Sequence, residues 1–226
     1  MSHTATAARR TDAPARAAEI VREYGPFAGS DKVHGVSHDG RSVWAALGAS
    51  LIAFDPADGA TTQTIDHAAD AGTAFDGKHL WQIAEARIDK IDPASGKVVA
   101  SIPAPGHGSD SGLAWAEGSL WVGQYRDKQI KQLDPATGKV LRTIESNRFV
   151  TGVTWVDGEL WHGTWQGDES EIRRIDPKSG TVLDRIEMPR GTGVSGLESD
   201  GADLFFAGGG GSGTVRAVRR SKGVAS

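Results

Sequence analysis

Short runs in which apolar and polar residues alternate recur along the chain, and each follows a turn of fixed composition. The clearest are Val-Val-Ala-Ser-Ile at 98–102, Val-Leu-Arg-Thr-Ile at 140–144 and Val-Leu-Asp-Arg-Ile at 182–186. Such alternation predicts half-buried β-strands. The turns before them read Asp92-Pro93-Ala94-Ser95-Gly96, Asp134-Pro135-Ala136-Thr137-Gly138 and Asp176-Pro177-Lys178-Ser179-Gly180, with an earlier copy at Asp55-Pro56-Ala57-Asp58-Gly59. In this motif Asp accepts backbone N–H bonds, Pro presets φ, and Gly takes the left-handed position that closes a hairpin. A second landmark is a glycine, a short apolar run, a turn, and an apolar pair ending in an aromatic. It occurs from Gly35 to Trp44, Gly72 to Trp81, Gly112 to Trp121, Gly152 to Trp161 and Gly196 to Phe205.

Five copies at intervals of roughly forty residues, each with room for four strands, predict a five-bladed β-propeller of four-stranded antiparallel blades. Strand A follows the glycine, B ends near the aromatic, C precedes Asp-Pro and D follows it. The fifth unit reaches strand C at 214–218 and then shows Arg219-Arg220 where Asp-Pro would stand, so it lacks its own strand D. Ile20-Val21-Arg22-Glu23-Tyr24 resembles a strand D, and its pairing with the last blade would close the ring and remove two sheet edges. The expected organisation is a disordered leader over 1–17 and one propeller domain over 18–223.

Composition narrows the chemistry. A formal net charge of −4 without a basic run argues against a nucleic-acid partner. The chain has no cysteine, hence neither disulfides nor thiolate chemistry. No apolar run suits a membrane span, and the first residues lack the apolar stretch of a secretory signal. A monomeric cytoplasmic protein is the expectation.

The repeat accounts for most of the aromatic residues. Trp44, Trp81, Trp121 and Trp161 share a register with Phe205, and Trp115 and Trp155 share another with Phe75 and His38; both registers suit packing between blades. Only Trp165 lies outside them, on an insertion between strands B and C of the fourth unit.

In a propeller the D-to-A and B-to-C loops open on one face around the central channel, and here they are rich in polar and ionisable residues. His34 precedes the first repeat glycine, where the other units have Ala71, Ser111, Thr151 and Ser195, so its imidazole is a candidate base or metal ligand. Glu85 is a candidate acid or partner for that imidazole. Arg87, Tyr125, Arg126 and Trp165 are candidate substrate-binding residues; the cofactor is left open, with a divalent metal at the mouth as a candidate. The loop 208–213 is nearly all glycine and lacks the lysine of a phosphate-binding loop. Neither a nucleophile elbow nor a zinc motif is present.

Gly152-Val153-Thr154-Trp155-Val156-Asp157-Gly158-Glu159-Leu160-Trp161, followed by Ile172-Arg173-Arg174-Ile175-Asp176-Pro177, resembles the repeat of the bacterial glutaminyl cyclotransferase propellers, and the pattern is also similar to virginiamycin B lyase and sugar-lactonase-like propellers. The resemblance spans about residues 18–220 and implies an enzyme acting on a small molecule or short peptide. Where the cyclotransferases usually carry Asn-Glu-Leu-Glu, this chain has Thr151, Gly152, Val153 and Thr154, without either carboxylate. A lyase, cyclotransferase or lactonase at the channel mouth is one reading, and a ligand-binding propeller using the same face without chemistry is the other.

Overall fold

The computed structural model describes residues 13–220, which form twenty-one strands and no helix. Strands β1 (Ala15–Ala17) and β2 (Ile20–Tyr24) come first in the chain but join the last two sheets. The first blade is β3 (Gly35–His38), β4 (Val43–Ala46), β5 (Gly48–Phe54) and β6 (Thr61–Ala69). The second is β7 (Thr73–Phe75), β8 (Leu80–Ala84), β9 (Arg87–Ile91) and β10 (Val98–Pro103), and the third is β11 (Asp110–Ala116), β12 (Ser119–Gln124), β13 (Gln129–Leu133) and β14 (Val140–Glu145). The fourth is β15 (Phe149–Val156), β16 (Glu159–Gln166), β17 (Glu169–Ile175) and β18 (Val182–Glu187). The fifth comprises β19 (Leu197–Ser199), β20 (Leu204–Gly208) and β21 (Val215–Arg219), with β2 as its outer strand. Five antiparallel four-stranded blades make the propeller that the repeat predicts.

Closure follows the prediction too, with β2 pairing antiparallel to β21 in the register Tyr24↔Val215. The leader differs from expectation at its end. Residues 15–17 form β1, which adds in parallel to β18, Ala15 opposite Arg185, and covers the outer edge of the fourth blade. Residues 1–12 of the expected leader, and 221–223 of the expected domain, lie outside the described residues.

The strand B boundaries also need correction. The apolar pair opens strand B rather than ending it, as Val43-Trp44 and Leu80-Trp81 do in β4 and β8. The cause is a tight A-to-B hairpin: Asp39 N–H donates to Ser42 O at 3.1 Å and Ser42 N–H donates to the Asp39 carboxylate at 2.7 Å, which reverses the chain before the aromatic. Strand B therefore runs on toward the channel mouth.

The core is divided into five wedges, one between each pair of adjacent blades. The repeated aromatics fill them, with Trp44, Trp81, Trp121, Trp161 and Phe205 all buried. Trp81 stacks on Trp115 of the next blade at 6.0 Å, and Trp121 on Trp155 at 5.2 Å. The Asp-Pro turns do as predicted: the carboxylates of Asp92, Asp134 and Asp176 accept N–H bonds from residues two positions on, and those bonds hold them below the ordinary carboxylate range.

Around the axis, the five repeat glycines form a closed steric ring. A Cβ on Gly35 would lie 2.5 Å from Ala71 O, on Gly72 2.4 Å from Leu113 N, on Gly112 2.3 Å from Thr151 O, on Gly152 2.4 Å from Leu197 N, and on Gly196 2.4 Å from Val36 N. Each inner strand thus lies backbone against backbone on the next, and the fifth returns to the first.

One half-buried acid marks the inner surface. Glu198, two residues after Gly196, accepts hydrogen bonds from Thr154 Oγ1 of the fourth blade and from Ser199 N–H at 2.8 Å. Burial pushes its carboxyl up to about 7 against an ordinary 4.5, and the two hydrogen bonds offset only part of that. The unfolded chain ionises this group near 4.5 and the folded chain only near 7, so stability declines as pH rises through that interval. The full shift corresponds to about 3 kcal/mol, reduced to roughly 2 kcal/mol by the partial solvent contact of the side chain. Glu198→Gln is expected to remove this loss, and urea unfolding midpoints at pH 5 and pH 8 check it: the variant gains on the wild type only at the higher pH.

Candidate functional site

The D-to-A and B-to-C loops do open on one face. Where they converge, a cavity of about 360 Å³ is lined by Lys32, His34, Asp70, Asp110, Tyr125 and the residues that precede the repeat glycines. All five of those positions reach it: His34, Ala71, Ser111, Thr151 and Ser195. A second cavity of about 500 Å³ adjoins it and shares Tyr125, Thr151, Ser195, Gly210 and Gly211 with the first; Trp165, Val194, Ser212 and Arg216 complete its wall with several glycines.

The shared register before the glycines is not chemically uniform. Ser111 Oγ donates to Val150 O at 2.8 Å, and Ser195 Oγ donates to Val33 O at 2.5 Å while accepting Gly210 N–H at 2.9 Å. Both serines are spent on tying one blade to the next, which agrees with the absence of a nucleophile motif. His34 remains available. Its N–H anchors the loop to Ala46 O at 2.8 Å, while the ring lies over Gly48. Burial lowers the His34 pKa and nearby Asp70 offsets part of this, so the imidazole is neutral at neutral pH and able to accept a proton.

Glu85 is not the partner of that imidazole. Its side chain is 76% exposed and lies 3.6 Å from Arg87, outside both cavities. The reason is local: residue 85 takes a left-handed turn conformation, φ +57°, and its N–H donates to Asp70 Oδ1 at 3.2 Å, which turns the side chain to solvent. Arg87 opens β9 and pairs at 2.9 Å with the buried Asp89, which also accepts from Ser101 Oγ at 2.7 Å and lies 3.2 Å from His67 Nε2. It belongs to the junction of the first two blades. Arg126 is exposed beside Tyr125 and lines neither cavity.

Tyr125 and Trp165 both line the larger cavity. Tyr125 stacks on Phe149 at 4.7 Å, with Lys128 Nζ 4.9 Å from the other ring. Trp165 lies on β16 opposite Phe149 and Ser170, not on a loop, because the β16–β17 hairpin extends to a tight turn after Gln166.

Asp110 is the group that linear reading passes over. It is buried in the wall of the smaller cavity, accepting Gly106 N–H at 2.9 Å and Gln124 Nε2–H at 3.2 Å. Burial raises its pKa, and the two hydrogen bonds compensate only in part. A signal exists in the sequence: two residues before the repeat glycine stand Val33, Asp70, Asp110, Val150 and Val194, so two blades replace a valine by a carboxylate. Among the described residues no three carboxylates or imidazoles come together to hold a metal ion.

Compared with protein-family models and with curated protein sequences, the chain matches none. Solved structures do resemble it. Glutaminyl cyclase of Myxococcus xanthus aligns with a TM-score of 0.75 at 16% identity, covering 92% of this chain and 98% of that one. The U3-55K structure aligns at 0.55 and 10% identity over 90% of this chain and 98% of that one, and the RRP9 WD40 repeats at 0.54 and 11% over 93% and 99%. At such identities the likeness is one of fold.

Proposed function

We propose that the channel mouth is the active site of an enzyme that cyclises or otherwise transforms a small amide or a short peptide with a free amine, with Asp110 carrying the proton and His34 assisting. The observation that supports this reading is the Asp110 carboxyl, held in the cavity wall with a raised pKa. A group poised nearer neutrality serves as both acid and base within one turnover.

The reaction named for the Myxococcus xanthus structure fixes the demand. In glutaminyl cyclisation the α-amine attacks the side-chain amide carbon, a C–N bond forms, and the bond to the amide nitrogen breaks to release ammonia. One proton must leave the attacking amine and one must reach the leaving nitrogen. A single carboxyl performs both transfers if it alternates between its two forms. The carboxylates missing at 151–154 are replaced in this reading by Asp110 of the third blade, with Asp70 of the second beside His34.

The test is ammonia release from peptides bearing an N-terminal glutamine. The wild type is expected to turn them over, and Asp110→Asn to lower kcat/KM by about 100-fold or more, as for loss of a general acid–base. An inert wild type, or an Asp110→Asn variant at wild-type rate, overturns the proposal.

A further inference from the structure

The larger cavity is built differently from the smaller one. One wall carries Tyr125 and Trp165, and Arg216 of β21 stands among the lining residues with the glycine-rich loop between. The contacts form a chain across that wall. A Cβ on Gly193 would lie 4.0 Å from the Trp165 ring and 3.5 Å from Gly209 O, and a Cβ on Gly209 would lie 2.6 Å from Arg216 Nη1. Bare backbone thus separates the indole from the guanidinium.

Arg216 has donors in reserve. Its Nε–H donates to Glu23 Oε1 at 2.5 Å and Nη2 donates to Ser212 Oγ at 3.4 Å, while Nη1 is buried with no hydrogen-bond partner. A guanidinium offers five N–H groups, and leaving a buried pair unmet costs free energy. A carboxylate is the acceptor that matches the guanidinium fork best. Gly209 packs against Nη1, where a Cβ would come within 2.6 Å, and the open part of the loop is Gly211, where a Cβ would meet nothing within 4 Å.

We propose that this second cavity is a recognition subsite for an aromatic or otherwise flat carboxylic acid, its body against Tyr125 and Trp165 and its carboxylate on Arg216. The inference goes beyond the proposed reaction and does not require turnover. It adds a specificity element: a substrate that spans both cavities places its reactive amine near Asp110 and an acidic group, such as a peptide carboxylate, near Arg216.

The probe is phenylacetate, with phenylacetamide as the neutral control, measured by calorimetric titration against the full chain. Phenylacetate is expected to bind about tenfold more tightly than the amide, a difference set by the charge-assisted bond. Two variants then break the same Arg216–Glu23 ion pair from opposite sides. Arg216→Gln is expected to abolish the preference for the acid. Glu23→Gln, which frees the guanidinium, is expected to strengthen phenylacetate binding severalfold. A purely structural ion pair predicts that the two variants act alike, and that outcome overturns the proposal. So does equal affinity for acid and amide, or binding of neither.

Discussion

Replacing Gly112 by alanine is expected to destabilise the propeller by about 3 kcal/mol or more, the upper end of the range for overpacking a filled interior. The new Cβ would lie 2.3 Å from Thr151 O and 2.6 Å from Val153 N of the next inner strand. Both obstacles are backbone, so no side chain can rotate to relieve the clash; only separation of the third and fourth blades can. Gly112 has no positive φ, so the effect is steric and does not arise from lost conformational freedom. Because the five glycines form a closed circuit, a displacement at one junction must be taken up by the others. Gly211→Ala is the control, since its Cβ meets nothing and its φ is not positive either, and it is expected to stay within about 0.5 kcal/mol of the wild type. Urea denaturation of both variants checks the pair.

The second large effect is expected at Glu171. Its carboxylate is buried in the fourth blade and takes Arg173 Nε at 2.6 Å and Arg185 Nη1 at 3.0 Å, with Arg148 Nη1 at 3.4 Å. Burial pushes this carboxyl up, but the charges of Arg173 and Arg148 and the hydrogen bonds from Arg173 and Arg185 bring it below its ordinary value. Arg173 is only 3% exposed and also donates to Asn147 Oδ1 at 2.7 Å. Glu171→Ala removes the carboxylate that Arg173 faces and strands that guanidinium, at a cost of about 3–5 kcal/mol. Replacing both partners, Glu171→Leu with Arg173→Leu, is expected to cost less than the single change, because the uncompensated charge disappears with its partner. Thermal unfolding of the two variants distinguishes the cases; a double variant worse than the single one would show that the stranded charge is not the cause.

The architecture could be read from the chain because a propeller states it five times. Every blade repeats the glycine, the apolar pair and the turn between strands A and B, and Ile20-Val21-Arg22-Glu23-Tyr24 resembles the missing outer strand that it forms. The site was harder, since its residues meet across blades. His34 lies near Asp70 of the second blade, whereas proximity in loop type suggested Glu85. What separated these two acids was the left-handed backbone at residue 85, which a register of residue types does not convey. Asp110 stood among many polar loop residues; the carboxylate in a valine position marks it in the sequence but marks Asp70 equally, and its burial against Gly106 and Gln124 sets it apart. Arg216 fell on a strand that the repeat assigns to architecture, yet one of its nitrogens reaches the glycine loop of the larger cavity. The addition of β1 to β18 had no repeat counterpart from which to be read.

The claim that function resides at Asp110 in the channel mouth, and not at the exposed acid two strands away, is tested most directly by comparing Asp110→Asn with Glu85→Gln in steady-state turnover of N-terminally glutaminyl peptides. Asp110→Asn is expected to lower kcat by about 100-fold with little change in KM, while Glu85→Gln stays within about twofold of the wild type on both. Equal losses in the two variants, or a loss confined to Glu85→Gln, would contradict that claim.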